Sequence, residues 1–297
     1  MVDTMEPPKE PSLEDCCHSG CNPCIFDVYE RQLKLYRQNG NKSASQELRK
    51  ENGISELNYT EFIIVSVILL SKSQKILKFK RANKNSPQVW WTPGHHFLFK
   101  YNSEKLSCSR AYTPVKLSSH KKEDYDFAIA IKRYENGVVS NYLFKLEEGD
   151  LTLWRGPYGI YKIASNKFNR IVMVAQGTGI APFINIIESI LNDEDDMTKI
   201  ILYYCCRSID EILFRDELYL YRSYWNFSYS IFLTHIPSNA IFRYEEPIIM
   251  RKFSYEYLNK IKPYLNDQVL LCGSSEFMQT YSDALKREEM LENVILF

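Results

Sequence analysis

This 297-residue chain lacks an excess of charge of one sign, a long apolar run and the features of a signal peptide, and each absence excludes a class of function. Neither sign of charge is in excess, because the 37 Lys and Arg residues balance the 37 Asp and Glu residues. Binding to nucleic acid or to an anionic membrane needs a basic face, so we expect no nucleic-acid partner. The longest apolar stretch, Phe62 to Leu70, is far shorter than the roughly 20 residues of a membrane-spanning helix, so no transmembrane segment is expected.

Residues 1–11 lack the basic and apolar regions of a signal peptide. We therefore expect an intracellular protein, either cytoplasmic or peripheral to a membrane, and we expect a monomer. In that compartment the eight cysteines are thiols or metal ligands rather than disulfides. With 11 Gly and 12 Pro residues, the chain is neither low-complexity nor collagen-like.

Composition divides the chain into three parts. Residues 1–57 contain a cysteine cluster, a helix predicted at Ile25–Tyr36 and a polar linker. Residues 58–166 contain short β-branched and aromatic runs, which predict an antiparallel β-barrel or sandwich. Residues 167–297 alternate apolar strands with helices, which predicts an α/β domain with a doubly wound parallel sheet. The expected fold class is thus α+β with two domains. The strands predicted in the first domain are Phe62–Leu70, His96–Tyr101, Ala111–Val115, Phe127–Ile131 and Leu151–Trp154.

The strongest local signal is the segment Gln176-Gly177-Thr178-Gly179-Ile180-Ala181-Pro182, which follows an apolar strand and opens a predicted helix. Its glycines allow a tight turn and let backbone N–H groups approach a phosphate, and the helix N-terminus adds partial positive charge. The segment lacks the third glycine of the dinucleotide fingerprint. Considered alone, it is explained equally well as a structural turn.

A second set of residues lies upstream. Arg110-Ala111-Tyr112-Thr113-Pro114 ends a predicted strand, and Gly137-Val138-Val139-Ser140 opens a predicted helix. Arginine offers a rigid fork for a pyrophosphate, tyrosine offers a flat face for a planar ring, and a helix N-terminus binds anions. Each piece also has a structural explanation. Their order along the chain is what favours a dinucleotide site.

The third element is the pair Cys272-Gly273, which ends another apolar strand. Ligands of open α/β sheets bind beyond the carboxyl ends of the strands, so a cysteine at this place can touch a cofactor ring. The alternative is a small buried side chain without a chemical role.

The segment Gly156-Pro157-Tyr158-Gly159 adds a further glycine turn. In this order, RxYTP, GxxS, GPxG, GTGxAP and a late CG resemble the motifs of the ferredoxin–NADP reductase superfamily, and within it most closely those of NADH–cytochrome b5 reductases. The resemblance spans roughly residues 58–297. It implies an FAD-binding barrel followed by a nicotinamide-binding domain. It also implies hydride transfer from NADH to FAD, and then release of single electrons to cytochrome b5 or a similar small haem protein.

The resemblance also implies roles for the motif residues. Arg110 would pair with the FAD pyrophosphate, Tyr112 would pack on the isoalloxazine, and Thr113 would hydrogen-bond near its reactive nitrogen. The GxxS segment would cap the pyrophosphate, the GTGxAP turn would line the NADH site, and the CG pair would guide the nicotinamide. The implied cofactor-binding residues are Arg110, Tyr112, Thr113, Pro114, Gly137, Val138, Val139, Ser140, Gly177, Thr178, Gly179, Pro182, Cys272 and Gly273. Thr113 and Cys272 are the expected catalytic residues.

Departures from the family pattern leave two alternatives open. Val138 and Val139 stand where better-known reductases carry a longer or basic side chain. The acidic residue that favours NADH is replaced near His235, and Arg207 follows the second strand of the α/β domain, where a 2′-phosphate would fit. NADPH thus stays an alternative donor. A non-catalytic or weakly active flavin- or nucleotide-binding redox sensor or scaffold stays the alternative function.

Four cysteines near the N-terminus, Cys16, Cys17, Cys21 and Cys24, resemble an oxidoreductase-like cysteine motif. We expect no bound metal. A metal-free segment that docks on a partner ranks first, a four-thiolate zinc site on these cysteines second, and an iron–sulfur site third.

Overall fold

The computed structural model describes residues 10–13, 25–39, 51–104, 106–235, 240–261, 266–287 and 293–297. The four clustered cysteines lie outside these ranges, so the expectations about them stay predictions. Helix α1 (Ile25–Asn39) forms where the apolar spacing predicts a helix. Across the described ranges, no helix is both long enough and apolar enough to cross a bilayer.

The first sheet is antiparallel and six-stranded. Its strands are β1 (Thr60–Ser71), β2 (Gln74–Arg81), β3 (His96–Asn102), β4 (Ser107–Tyr112), β5 (Phe127–Lys132) and β6 (Leu151–Tyr158). They lie in the order β4-β3-β6-β1-β2-β5. A backbone bridge between Val115 and Ala128 joins the chain after β4 to β5 at the opposite edge. The bridge closes the sheet, and the expected antiparallel barrel is confirmed.

Two strands of the barrel differ from the sequence-based expectation. The sequence analysis does not predict β2, because lysines interrupt its apolar pattern. One of them, Lys75, is nevertheless only 4% exposed, since its Nζ donates to the carbonyl oxygen of Leu146 at 2.9 Å. The strand expected at Ala111–Val115 instead ends at Tyr112. Pro114 has no N–H to contribute to a ladder, so the pairing with β3 ends before it.

Aromatic rings fill the barrel. The ring of Phe127 lies 5.0 Å from those of Phe62, Phe79 and Phe97, measured between centroids. Trp154 packs against the same group, and its Nε1 donates to Thr152 Oγ1 at 2.9 Å. Buried aromatic rings contribute a large share of core burial, so the high aromatic content of the chain stabilises this domain.

The second sheet is parallel. Its strands are β7 (Arg170–Gln176), β8 (Lys199–Cys206), β9 (Phe227–Leu233), β10 (Ile248–Ile249), β11 (Asp267–Cys272) and β12 (Val294–Leu296), in the order β10-β9-β8-β7-β11-β12. The helices are α3 (Ala181–Leu191), α4 (Arg215–Tyr221), α5 (Glu256–Ile261) and α6 (Ser275–Arg287), together with α2 (Val138–Lys145) in the barrel region. Separate apolar clusters cover the two faces of the sheet. The doubly wound α/β domain is thus confirmed.

The strand order reverses at β7. The chain continues from β7 to β8 on one side, whereas β11 lies on the other side, paired from Asp267–Arg170 to Cys272–Ala175. The carboxyl ends of β7 and β11 therefore flank the topological switch point, where open α/β sheets bind their ligands.

The barrel and the parallel sheet share one apolar cluster. Val115, Leu117 and Ala130 of the barrel region are buried with Ile180 and Phe183 of the α/β region. An ion pair crosses the same boundary, between Lys132 Nζ and Glu211 Oε2 at 3.0 Å. The two sheets occupy residues 60–158 and 170–296. The domain limits at 57/58 and 166/167 stay predictions.

Candidate functional site

Arg110 and Tyr112 lie on one face of β4, as alternate residues of a strand. Their partners across the ladder are Phe99 and Phe97 of the barrel core. Arg110 is exposed, and one of its Nη atoms donates to the Ser109 carbonyl oxygen at 2.8 Å. The ring of Tyr112 is half-buried and meets the edge of a core tryptophan. Burial raises the pKa of Tyr112 well above its ordinary value, so the side chain presents a neutral aromatic face.

The motif continues into the boundary between the domains. Thr113 is half-buried and Pro114 is buried. The Pro114 carbonyl oxygen accepts a hydrogen bond from Asn185 Nδ2 at 2.8 Å. Sequence reasoning missed Asn185. The one signal that would have found it is a lone amide inside the apolar helix α3.

The loop before α2 is held by its own side chains. Ser140 Oγ donates to the Gly137 carbonyl oxygen at 3.1 Å and accepts from the Tyr134 backbone N–H at 3.2 Å. Asn141 Nδ2 donates to the carbonyl oxygens of Tyr134 and Gly137, at 2.8 Å in both cases. The Ser140 proton is therefore used within the loop. The backbone N–H groups of the first helical turn have no acceptor inside the helix, and they are the donors that this end offers an anion.

The two valines of this segment differ in their surroundings. Val138 is 51% exposed, whereas Val139 is buried in the barrel core. From the same helix, Tyr142 stacks on Phe99, the ladder partner of Arg110, at 6.1 Å between ring centroids. α2 therefore lies on the side of the barrel to which Arg110 belongs.

The turn after β7 lies against the end of β11. Residues Gly177–Ile180 form one turn of 3₁₀ helix that leads into α3. A Cβ atom on Gly179 would lie 2.4 Å from the Cys272 carbonyl oxygen, so glycine allows this backbone contact. Gln176 Oε1 accepts from the Ser274 backbone N–H at 3.1 Å and ties the two turns together.

The other residues of the turn leave space around it. Gly177 has a positive φ of 56°, and no atom lies within 4 Å of the place a Cβ would take. Its carbonyl oxygen accepts from Tyr204 Oη at 3.1 Å. Thr178 is half-buried, and the buried Pro182 lies in the first turn of α3, which suits its missing N–H. The space beside Gly177, at the carboxyl end of β7, is therefore open, and we call it the crevice.

Cys272 and Gly273 lie at the end of β11, next to the turn after β7. Cys272 is half-buried, and burial raises the pKa of its thiol to about 12. The thiol is therefore neutral near pH 7 and unsuited to nucleophilic work. A Cβ on Gly273 would lie 2.8 Å from Gln176 Cβ and from Phe277 Cδ1, so the backbone approaches closely here as well.

These residues fit a flavin dinucleotide and a nicotinamide dinucleotide. An exposed guanidinium and a helix N-terminus on one side of the barrel suit a pyrophosphate. The neutral face of Tyr112 beside them suits a planar ring. The open space above Gly177, at the switch point, suits a second nucleotide.

Comparison with known families matches both halves of the chain. An oxidoreductase FAD-binding domain matches residues 61–163 and an oxidoreductase NAD-binding domain matches residues 173–283. The N-terminal domain of oxidoreductase-like proteins matches residues 2–45. The barrel is thus the FAD-binding domain, and the α/β domain is the NAD-binding domain.

Solved structures of low identity share the fold. The cytochrome b5 reductase domain of Ulva prolifera nitrate reductase superimposes with a TM-score of 0.67 at 20% identity, covering 83% of this chain and all of that one. A ferredoxin NADP+ reductase from Neisseria gonorrhoeae with bound FAD and NADP gives a TM-score of 0.62 at 19% identity, covering 81% and 98%.

Curated relatives extend the match over the whole chain. The human NADH-cytochrome b5 reductase-like protein is 28% identical over 290 residues, which cover 94% of this chain and 90% of that protein. NADH-cytochrome b5 reductase 2 of Kluyveromyces lactis is 30% identical over 231 residues, which cover 77% and 76%. With this identity over three quarters of both chains, and with both domains matched, the protein belongs to the NADH-cytochrome b5 reductase family of FAD-dependent oxidoreductases.

Proposed function

We propose that this enzyme takes a hydride from NADH onto FAD and passes the two electrons, one at a time, to cytochrome b5 or a similar small haem protein. The observation that carries the proposal is the junction of the two sites. Helix α3 starts at the nicotinamide-type turn and donates from Asn185 to Pro114, directly after the flavin-type motif. Hydride transfer needs two rings in contact, and this junction brings their expected binding segments together.

The residues of the FAD-binding domain would have separate roles. Arg110 and the N–H groups at the start of α2 would bind the FAD pyrophosphate. Tyr112 would pack on the flavin ring and Thr113 would hydrogen-bond to it. When bound, FAD supplies the chemistry, which is acceptance of a two-electron hydride and delivery of single electrons. The protein contributes orientation and electrostatics.

The nicotinamide would bind in the crevice at the switch point. Gly177, Thr178, Gly179 and Pro182 would line it on one side, and Cys272 and Gly273 on the other. Cys272 would act through contact with the ring, because its neutral thiol supplies no charge. The names of the relatives favour NADH as the donor, and the position of Arg207 after β8 makes NADPH the comparison to run.

Anaerobic titration of the purified protein tests the proposal. Flavin absorbance should be present after FAD is supplied, and it should bleach when NADH is added. The bleaching should be faster with NADH than with NADPH at equal concentration, and the reduced protein should then reduce two equivalents of cytochrome b5 per FAD. Size-exclusion chromatography should show a monomer.

Two results would contradict the proposal. A protein that binds FAD but is not bleached by either nucleotide would support the sensor or scaffold alternative. A protein that bleaches but does not reduce cytochrome b5 would keep the reductase half and exclude the proposed acceptor.

A further inference from the structure

The helix that carries the nicotinamide-type turn also holds the segment after the flavin-type motif. α3 begins at Ala181, directly after the 3₁₀ turn. About one helical turn later, the Asn185 side chain is 8% exposed and donates from Nδ2 to the Pro114 carbonyl oxygen at 2.8 Å. Pro114 lies two residues after Tyr112, so this bond fixes the backbone beside the expected flavin contact.

A second bond from the same face of α3 holds the far end of the segment. Residues 185 and 188 are three apart and therefore lie on one side of the helix. The Glu188 carboxylate accepts from the Ser118 backbone N–H, at 2.8 Å to one oxygen and 3.0 Å to the other. It also accepts from Tyr221 Oη of α4 at 3.1 Å. The segment from Pro114 to Ser118 is thus bonded to the NAD-binding domain at both ends.

Apart from the ion pair between Lys132 and Glu211, the other contacts considered at this boundary are apolar. Val115, Leu117 and Ala130 meet the cluster around Ile180 and Phe183. Apolar burial is not directional, so by itself it permits one domain to shift slightly over the other. A buried hydrogen bond has a preferred distance and angle, and leaving its partner unsatisfied is costly. The Asn185 bond therefore fixes a position that the apolar contact leaves adjustable.

We infer that Asn185 is a positioning residue, which sets the placement of the nicotinamide-binding turn relative to the flavin-binding motif. Glu188 anchors the other end of the same segment. The inference rests on the proposed function, because it assigns hydride transfer as the step that depends on this placement. Rates of such steps are sensitive to small displacements of the reacting groups.

The test replaces Asn185 by leucine and compares a matched variant, Asn226→Leu. Asn226 is 5% exposed and also donates from Nδ2 to a backbone carbonyl oxygen, that of Thr198 at 3.1 Å. Asn226 and Thr198 both lie in the NAD-binding domain. The two variants thus lose the same kind of buried bond, and only Asn185→Leu loses one between domains.

Stopped-flow reduction of FAD at saturating NADH is the first readout. Asn185→Leu should slow it by about tenfold or more, with an increased primary isotope effect from NADH deuterated at the transferred position. Asn226→Leu should keep the wild-type rate and isotope effect, whatever its thermal stability. If Asn185→Leu loses stability like Asn226→Leu but keeps the wild-type rate, the inference is wrong.

The second readout needs no cofactor. In the FAD-free chain, Asn185→Leu should raise hydrogen exchange of the amides in residues 115–118 by about tenfold, and Asn226→Leu should not. Unchanged exchange in Asn185→Leu would overturn the inference even if the enzyme were active. If wild-type FAD is not reduced by NADH at all, the proposed function fails, whereas the exchange experiment still decides whether Asn185 holds the segment.

Discussion

The two turns that form the candidate site are stabilised in different ways. The turn before α2 is held by side chains, because Ser140 and Asn141 bond to the carbonyl oxygen of Gly137. The turn after β7 depends on the absence of a side chain, because the backbone at Gly179 lies against the Cys272 carbonyl. The first turn can thus be weakened by removing atoms, and the second by adding one. Substitutions in the two turns should therefore destabilise the protein for different physical reasons.

The largest effect is expected from Gly179→Ala. The new methyl group would lie 2.4 Å from the Cys272 carbonyl oxygen and 2.7 Å from its carbon, so one strand end must move. We expect a loss of about 3 kcal/mol in the free energy of unfolding, and loss of flavin reduction by NADH.

Gly177→Ala is the matched control for that variant. Its methyl group meets no atom within 4 Å, and only the positive φ of 56° opposes it, at a cost of about 1 kcal/mol. Urea unfolding compares the two variants. Equal losses would contradict the backbone contact between Gly179 and Cys272.

Acid should destabilise the FAD-binding domain through a half-buried histidine. His96 is at the start of β3, and among the described residues its Nε2 has no hydrogen-bond partner. Burial, with a smaller effect of His95, lowers the pKa of His96 from 6.5 to about 4. The neutral ring therefore contributes stability that is complete above pH 6.5 and is lost as the pH falls towards 4. The expected loss over that range is roughly 3 kcal/mol.

Urea unfolding near pH 7.5 and near pH 5 measures this dependence. His96→Gln should flatten the decrease in the free energy of unfolding, whatever its stability at the higher pH. His120→Gln, which changes a partly exposed histidine, is the control variant. An unchanged slope in His96→Gln would assign the acid sensitivity to other groups.

Arg110→Ala tests the expected contribution of the Arg110 guanidinium to FAD binding. Loss of a charge-assisted bond to the pyrophosphate should weaken FAD binding by roughly 10- to 100-fold. Fluorescence titration of the FAD-free protein measures the dissociation constant. Arg251→Ala removes an exposed arginine from the NAD-binding domain and should leave FAD affinity unchanged. Full FAD occupancy in Arg110→Ala would refute the assigned role.

Cys272→Ala should have the smallest effect, and it is the sharpest test of the nicotinamide half. Because the thiol is neutral and acts by contact, we expect flavin reduction to slow by roughly three- to tenfold with unchanged FAD affinity. Cys206→Ala truncates a buried cysteine in β8 of the same domain and should keep the rate. If Cys272→Ala lowers the melting temperature but keeps the wild-type rate of flavin reduction, Cys272 is a packing residue.

Local pattern predicted most of the architecture and failed where packing overrides it. Alternating strands and helices indicated the parallel sheet, and turn-separated aromatic runs indicated the barrel. β2 was missed because lysines interrupt its apolar pattern, and the bond from the buried Lys75 to Leu146 is a tertiary contact that no local pattern shows. The expected end of β4 was misplaced because Pro114 stops the ladder before the apolar run ends.

The sequence predicted the separate motifs of the site but not the contacts between those motifs. A glycine pair predicts a turn, but nothing local indicates that Gly179 rests on Cys272, which is distant in sequence. The bond from Asn185 to Pro114 is likewise set by the packing of two domains. The roles of individual residues toward FAD and NADH stay predictions, because they depend on atoms of the ligands.

The glycine contacts also determine which substitutions this chain can accept during evolution. A Cβ at Gly137 would meet the Ser140 hydroxyl at 2.3 Å, so a change at 137 can be compensated by a smaller residue at 140. A Cβ at Gly179 would meet backbone atoms, which every amino acid carries. No second substitution at 272 relieves that clash. A clash at 137 can therefore be relieved at 140, although with loss of the Ser140 hydrogen bonds, whereas position 179 is confined to glycine by backbone atoms that no substitution removes.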